Sequence, residues 1–186
     1  SPYIVENIQW SYFDTLHQLQ EKVIVDDIIL VDIDERSLDA YGQYPIKRGI
    51  YRDLLLDTHF SNTHVFTILF GQPDRDPTQD EIFAEGLVNR LTILAAAPTI
   101  QKDTGSAPFV GNSTLGNGKA QDHLWNFSGI ASPIRILQDN TYGVGVTVAT
   151  PSVSGTANFD GTTRSIPLIV TANNQVYPSL ALETLR

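Results

Sequence analysis

Apolar runs alternate with helix-patterned stretches through the first half of this chain, and that alternation restricts the fold more than any other feature. Residues 28–33, Ile28-Ile29-Leu30-Val31-Asp32-Ile33, are almost wholly apolar and β-branched. Such a run reads as a strand with both faces buried, as in a parallel sheet covered by helices. Behind it the pattern turns helical, with Asp34 placed to cap a short helix and Gly42 to stop it. A longer helix is expected after Pro45, burying Ile50, Leu54 and Leu55 and exposing Arg52, Asp53 and Asp57. Residues 64–70 read as a second strand that ends at Gly71 and Pro73. Thr78-Gln79-Asp80-Glu81 matches a capping box opening a helix that buries Phe83, Leu87 and Leu91. Residues 92–96 supply a third strand. The order β-α-β-α-β argues for a parallel sheet with right-handed crossovers.

The flanks differ in character. Ile4, Ile8, Tyr12, Leu16, Leu19 and Val23 recur at three- and four-residue steps, the spacing of one apolar stripe on a long N-terminal helix. That stripe can pack on its own domain or pair with a second subunit. Residues 102–132 mix Gly105, Gly111, Gly116, Gly118 and Gly129 with serine, threonine and asparagine, a long excursion for a compact domain. Trp125 and Phe127 are expected to dock its far end on the core. Strands are then expected over 142–149 and 164–171, with Asn173-Asn174 as a tight hairpin turn. Pro178 suits the first turn of a final helix.

Charge and composition exclude several functions. Of 21 acidic and 12 basic residues, the stretch 1–101 holds 16 and 7, and the remainder 5 of each. No basic stripe can track a phosphate backbone, so nucleic acid is not an expected partner. With no cysteine, disulfides, thiol catalysis and cysteine-ligated zinc are excluded. No apolar run approaches the ~20 residues needed to span a bilayer. The chain also has no methionine and opens at Ser1, as expected of a segment of a longer protein.

Asp32-Ile33-Asp34 behind an apolar run could hold magnesium or supply a nucleophile and an acid, as in a metal-dependent phosphohydrolase. Downstream of the third strand, Asp139 and Asp160 stand alone, with no acidic pair at a strand end to complete a metal site. Phosphate-binding and dinucleotide-binding glycine motifs are absent, and Ser179 has no histidine in a serine-hydrolase motif. No catalytic residue, metal site or cofactor is therefore assigned. The helix-capping role of Asp34 is the plainer alternative.

Three phrases together point to a family. They are Ile28-Ile29-Leu30-Val31-Asp32-Ile33-Asp34-Glu35-Arg36-Ser37-Leu38 with Gly42-Gln43-Tyr44-Pro45-Ile46-Lys47-Arg48; Phe66-Thr67-Ile68-Leu69-Phe70-Gly71-Gln72-Pro73-Asp74; and Asp160-Gly161 through Arg164-Ser165-Ile166-Pro167-Leu168 to Tyr177-Pro178-Ser179-Leu180-Ala181-Leu182. In this order and spacing they resemble the second CHASE domain family, extracellular sensory domains attached to cyclases, histidine kinases and serine/threonine kinases. Arg48 and Arg164 match basic positions of the family pattern, whereas Thr67 stands where the family usually has an aspartate. The resemblance implies an extracytoplasmic, periplasmic or outer-face domain of a bacterial inner- or plasma-membrane receptor. Transmembrane helices would flank it, and the catalytic effector would lie in the cytoplasm.

The expectation is one α/β domain over 24–186, with a largely parallel central sheet flanked by helices and antiparallel C-terminal strands. The long N-terminal helix, 1–23, is expected as a juxtamembrane signalling element, with Ile4, Ile8, Tyr12, Leu16 and Leu19 in a homodimer seam. The fragment would sense an unidentified small-molecule or protein stimulus rather than catalyse; a constitutive interaction module is the other non-enzymatic reading. Candidate ligand-binding residues are Asp32, Asp34, Arg48, Asp74, Asp160 and Arg164. Among these, Asp32, Arg48 and Arg164 are expected as one polar cluster near the C-terminal ends of the strands, where open parallel sheets place their crevices.

Overall fold

The computed structural model describes residues 2–21, 27–99, 113–114, 124–148 and 166–186. The chain forms two compact units, Ser1–Ala40 and Tyr41–Arg186.

In the first unit, α1 spans Pro2–Leu19. Ile8, Tyr12, Leu16 and Leu19 of its stripe are all exposed, as are Val5 and Phe13. The run 28–33, expected as a buried strand, pairs with no strand among the described residues, and Ile28, Ile29, Leu30 and Val31 are exposed, Leu30 at 92%. β-branched residues favour an extended backbone, but a strand also needs a partner ladder, and the described part of this unit contains no other strand. Asp32 is likewise exposed rather than buried. The next expectation holds: helix α2, Glu35–Tyr41, starts behind Asp34 and ends at Gly42, whose φ of 96° is open to glycine at little cost.

The second unit is α/β. Helix α3 covers Arg48–Asp57, strand β1 His64–Phe66, helix α4 Pro77–Leu87 and strand β2 Thr92–Thr99. β1 pairs with β2 in parallel, His64 opposite Thr92, so β1-α4-β2 is a parallel crossover unit. Strands β3 (Ser113–Thr114), β4 (Trp125–Phe127) and β5 (Gly129–Ala131) follow, then helix α5 (Arg135–Gln138) and strand β6 (Gly143–Val146). β6 pairs with β2 in parallel over Ile93–Ala96, and β5 pairs with the far end of β2 antiparallel. A second sheet has the order β3-β8-β7-β4, where β7 is Ile169–Ala172 and β8 is Gln175–Pro178. β7 and β8 form the expected hairpin, with Asn173 and Asn174 at positive φ in its turn. Helix α6, Leu180–Leu185, closes the chain.

Two details of the helix starts differ from expectation. The final helix begins behind Ser179, whose hydroxyl accepts from the Leu182 N–H; Pro178 belongs to β8. Helix α4 begins two residues before the expected capping box, with Asp76 as its cap and Pro77 at its first position. Proline's fixed φ suits that position, and the earlier start releases Asp80 from the helix end. Leu91 lies beyond the helix and is partly exposed, while Phe83 and Leu87 are buried as expected.

The core joins both sheets. Ala96 of β2, Ile130 of β5, and Val144 and Val146 of β6 pack with Val170, Ala172 and Tyr177 of the hairpin. Trp125 and Phe127 dock against this cluster, as their place at the end of the excursion predicts. A second centre is aromatic: Tyr51, Phe66, Phe70 and Phe83 have ring centroids 5.1–6.0 Å apart. It fixes α3 and α4 over β1 and forms the floor from which the loop after β1 is built.

Candidate ligand-binding cavity

A cavity of about 810 Å³ opens in the second unit. Its walls are most of residues 41–48 with Tyr51, the loop 68–76, and Ala131 and Ser132. The loop 68–76 leaves the C-terminal end of β1, the side of a parallel sheet on which crevices form.

The loop is held by side chains that cap helices on other segments. Lys47 precedes α3 and makes no side-chain cap bond, so the first N–H groups of that helix need acceptors from elsewhere. The Arg48 N–H donates to Asp74 Oδ2 at 3.3 Å, and the Gly49 N–H to Gln79 Oε1 at 3.1 Å. Asp74 is fixed in turn: its own N–H donates to Asp80 Oδ2 at 3.0 Å, and its Oδ1 accepts from the Asp76 N–H at 3.1 Å. Asp76 Oδ1 accepts from the Thr78 N–H at 3.1 Å and the Thr78 hydroxyl at 2.7 Å. Those bonds, the hydroxyl's first, hold the Asp76 carboxyl below its ordinary pKa, with a smaller contribution from Lys47. Carboxylates thus sit at the positive ends of both helices.

Arg48 is the anchor of the wall. Its side chain is 8% exposed and that of Asp80 7%, with Nη1 and Oδ1 2.9 Å apart. The two atoms form an ion contact without the direction of a hydrogen bond. Nη2 donates to the Gln72 carbonyl, and the guanidinium lies 5.2 Å from the Phe70 ring centre. Burial pulls the Arg48 pKa below its usual value while Asp80, then Asp74, pull it back. An arginine retains its charge under such opposing effects, so the pair is ionic.

Tyr51 also lines the cavity and is 4% exposed. Burial, the foremost cause, pushes its phenol up to about 12, so the hydroxyl keeps its proton at neutral pH. Lys47 and Arg75 line the cavity while exposed to solvent, which places them at its mouth. Ser132 belongs to a buried polar cluster, accepting from Gln138 Nε2 at 3.1 Å.

The sequence-designated residues divide. Arg48 and Asp74 meet in this wall, joined through the Arg48 N–H. The ionic partner of Arg48 is Asp80, not an aspartate of the first apolar run. Asp32 and Asp34 lie in the first unit. Asp34 is a cap there: its Oδ1 accepts from the Ser37 N–H and hydroxyl, each at 2.9 Å. Asp160 and Arg164 fall outside the described residues. Among the described residues no group of three or more histidine, cysteine, aspartate or glutamate side chains is disposed to hold a metal ion. Asp80, Gln79, Tyr51 and Phe70 were not singled out by sequence. Asp80 carried one usable signal, a carboxylate one helical turn past a better cap at Asp76.

The arrangement is a preformed hollow with apolar and aromatic walls, in which Arg48, Asp74 and Asp80 are committed to holding the loop. A family model, the CHASE2 domain, matches residues 1–186. No similar curated protein and no similar solved structure was found. Among the described residues no helix is long and apolar enough to cross a membrane. The match runs over the whole length and agrees with the three phrases noted in the sequence, so the chain belongs to the CHASE2 family, extracellular sensory domains of membrane receptors rather than catalytic ones.

Proposed function

We propose that this domain is the input module of a bacterial signalling receptor, facing the outer side of the inner or plasma membrane. It would control a cytoplasmic cyclase, histidine kinase or serine/threonine kinase through flanking transmembrane helices. The cavity beside Arg48 carries this reading. Its loop is built by a relay of caps across two helices, so a molecule bound there would bear on the relative position of α3 and α4. A ligand shifts a receptor only by binding one of its conformations better than the other.

The same reading assigns α1 to a homodimer seam. Its stripe is exposed, and pairing with a second copy would bury Ile8, Leu16 and Leu19. Helix pairs of this kind can pass signal by small shifts between two packings.

The test is topological. A reporter fused behind Arg186 in the native membrane setting should report the outer side of the membrane. Activity of a cytoplasm-only reporter at that point would overturn the reading.

A further inference from the structure

The cavity wall holds a buried phenol whose bonding is incomplete. Tyr51 is 4% exposed and lines the cavity, yet its hydroxyl has no hydrogen-bond partner among the described residues. The hydroxyl is also not among the fully enclosed unsatisfied atoms, so it reaches open space. A buried phenol left in that state favours a ligand that completes its bonding.

The charges around it are unequally engaged. Arg48 is matched by Asp80. Asp74 takes the N–H groups of Arg48 and Asp76. Asp76 caps α4 and lies within the field of Lys47. Arg75, exposed at the mouth, has no carboxylate partner among the described residues. Lys47, also exposed at the mouth, makes no ion pair among the described residues either, so the uncommitted charges there are cations, and with the Tyr51 O–H they are donors that favour an anion. Leu69 and Phe70 supply apolar wall.

We propose that this cavity takes a small organic carboxylate with an apolar body, its carboxylate held by Arg75 and the Tyr51 hydroxyl and its body against Leu69 and Phe70. The proposal rests on the sensor reading above and adds the ligand class to it. An ammonium ligand is disfavoured because Asp74 and Asp76 are already neutralised by helix ends and neighbouring cations.

Calorimetry on the 186-residue chain tests it, using phenylacetate, 4-phenylbutyrate and octanoate as probes, with phenylacetamide and phenethylamine as neutral and cationic counterparts. At least one acid should bind saturably, and phenylacetamide and phenethylamine should bind on the order of tenfold more weakly or not at all. Arg75→Gln should weaken the acid by about tenfold and Tyr51→Phe several-fold, with melting temperatures close to that of the parent. Neither change removes a bond from the unliganded fold, so loss of binding can be read as loss of recognition. No saturable binding by any of the three acids, equal binding of amide and acid, preference for the amine, or unchanged binding in Arg75→Gln would each overturn it. Such a failure leaves the reporter result at Arg186 standing, and a cytoplasmic reporter would leave the binding result standing.

Discussion

With Arg48 and Asp80 both withdrawn from water and 2.9 Å apart, removing either partner strands a buried charge. Asp80→Ala should therefore destabilise the domain by about 3–5 kcal/mol, read from urea unfolding. Asp32→Ala, at an exposed residue, should stay within about 0.5 kcal/mol. Equal losses in the two variants would contradict this assignment of the ion pair. That Arg48 would meet a carboxylate was expected from its match to a basic position of the family pattern. Which carboxylate was not, because Asp80 sat inside a capping-box pattern that fits equally well two residues too late. His64 supplies a pH test. Burial, the largest cause, lowers its pKa below 6.5, with the Thr58 carbonyl opposing. The unfolded chain then binds more protons than the native one as pH falls through 6.5, so stability should drop there. Unfolding midpoints between pH 7.5 and 5.5 should fall less in His64→Gln; an identical decline would remove His64 as a cause.

The elements that declared themselves in sequence carry their own stops and starts. Asp34 and Gly42 bound α2, and Asn173-Asn174 turns the hairpin, because each does its work with atoms from its immediate neighbours. The run 28–33 has strand propensity but no ladder among the described residues, since pairing depends on a distant segment and cannot be read from the run itself. Packing between elements is equally non-local. Gly145 of β6 lies so close to α6 that an added Cβ would stand 2.4 Å from the Leu180 Cα. Backbone cannot step aside as a side chain can, so Gly145→Ala should cost about 1–3 kcal/mol. A melting temperature equal to the parent's would show that β6 and α6 are further apart than described. For α1, cysteines placed singly from Val5 to Leu19 in the intact receptor should crosslink with helical period, peaking at Ile8, Tyr12, Leu16 and Leu19. Uniformly absent crosslinks would remove the homodimer seam.

For the molecule as a whole, the α/β class and the family were legible because they rest on many weak local signals that agree: strand runs, helix patterns and three phrases in order. The cavity was not, since its walls come from within residues 41–51, 68–76 and 131–132, and only folding brings Ser132 beside Gly71. On the proposed reading it is the place where a stimulus would be converted into a change in helix position. Filling it should freeze that conversion without disturbing the fold. Leu69 lines the cavity and is partly exposed, so Leu69→Trp adds bulk to open space rather than to packed core. The decisive measurement is effector output from the intact receptor, compared with Leu69→Trp under growth conditions that move the parent between low and high output. The account predicts a variant present in the membrane at normal abundance but holding one output level throughout. A Leu69→Trp receptor that follows the parent across the same conditions would contradict it.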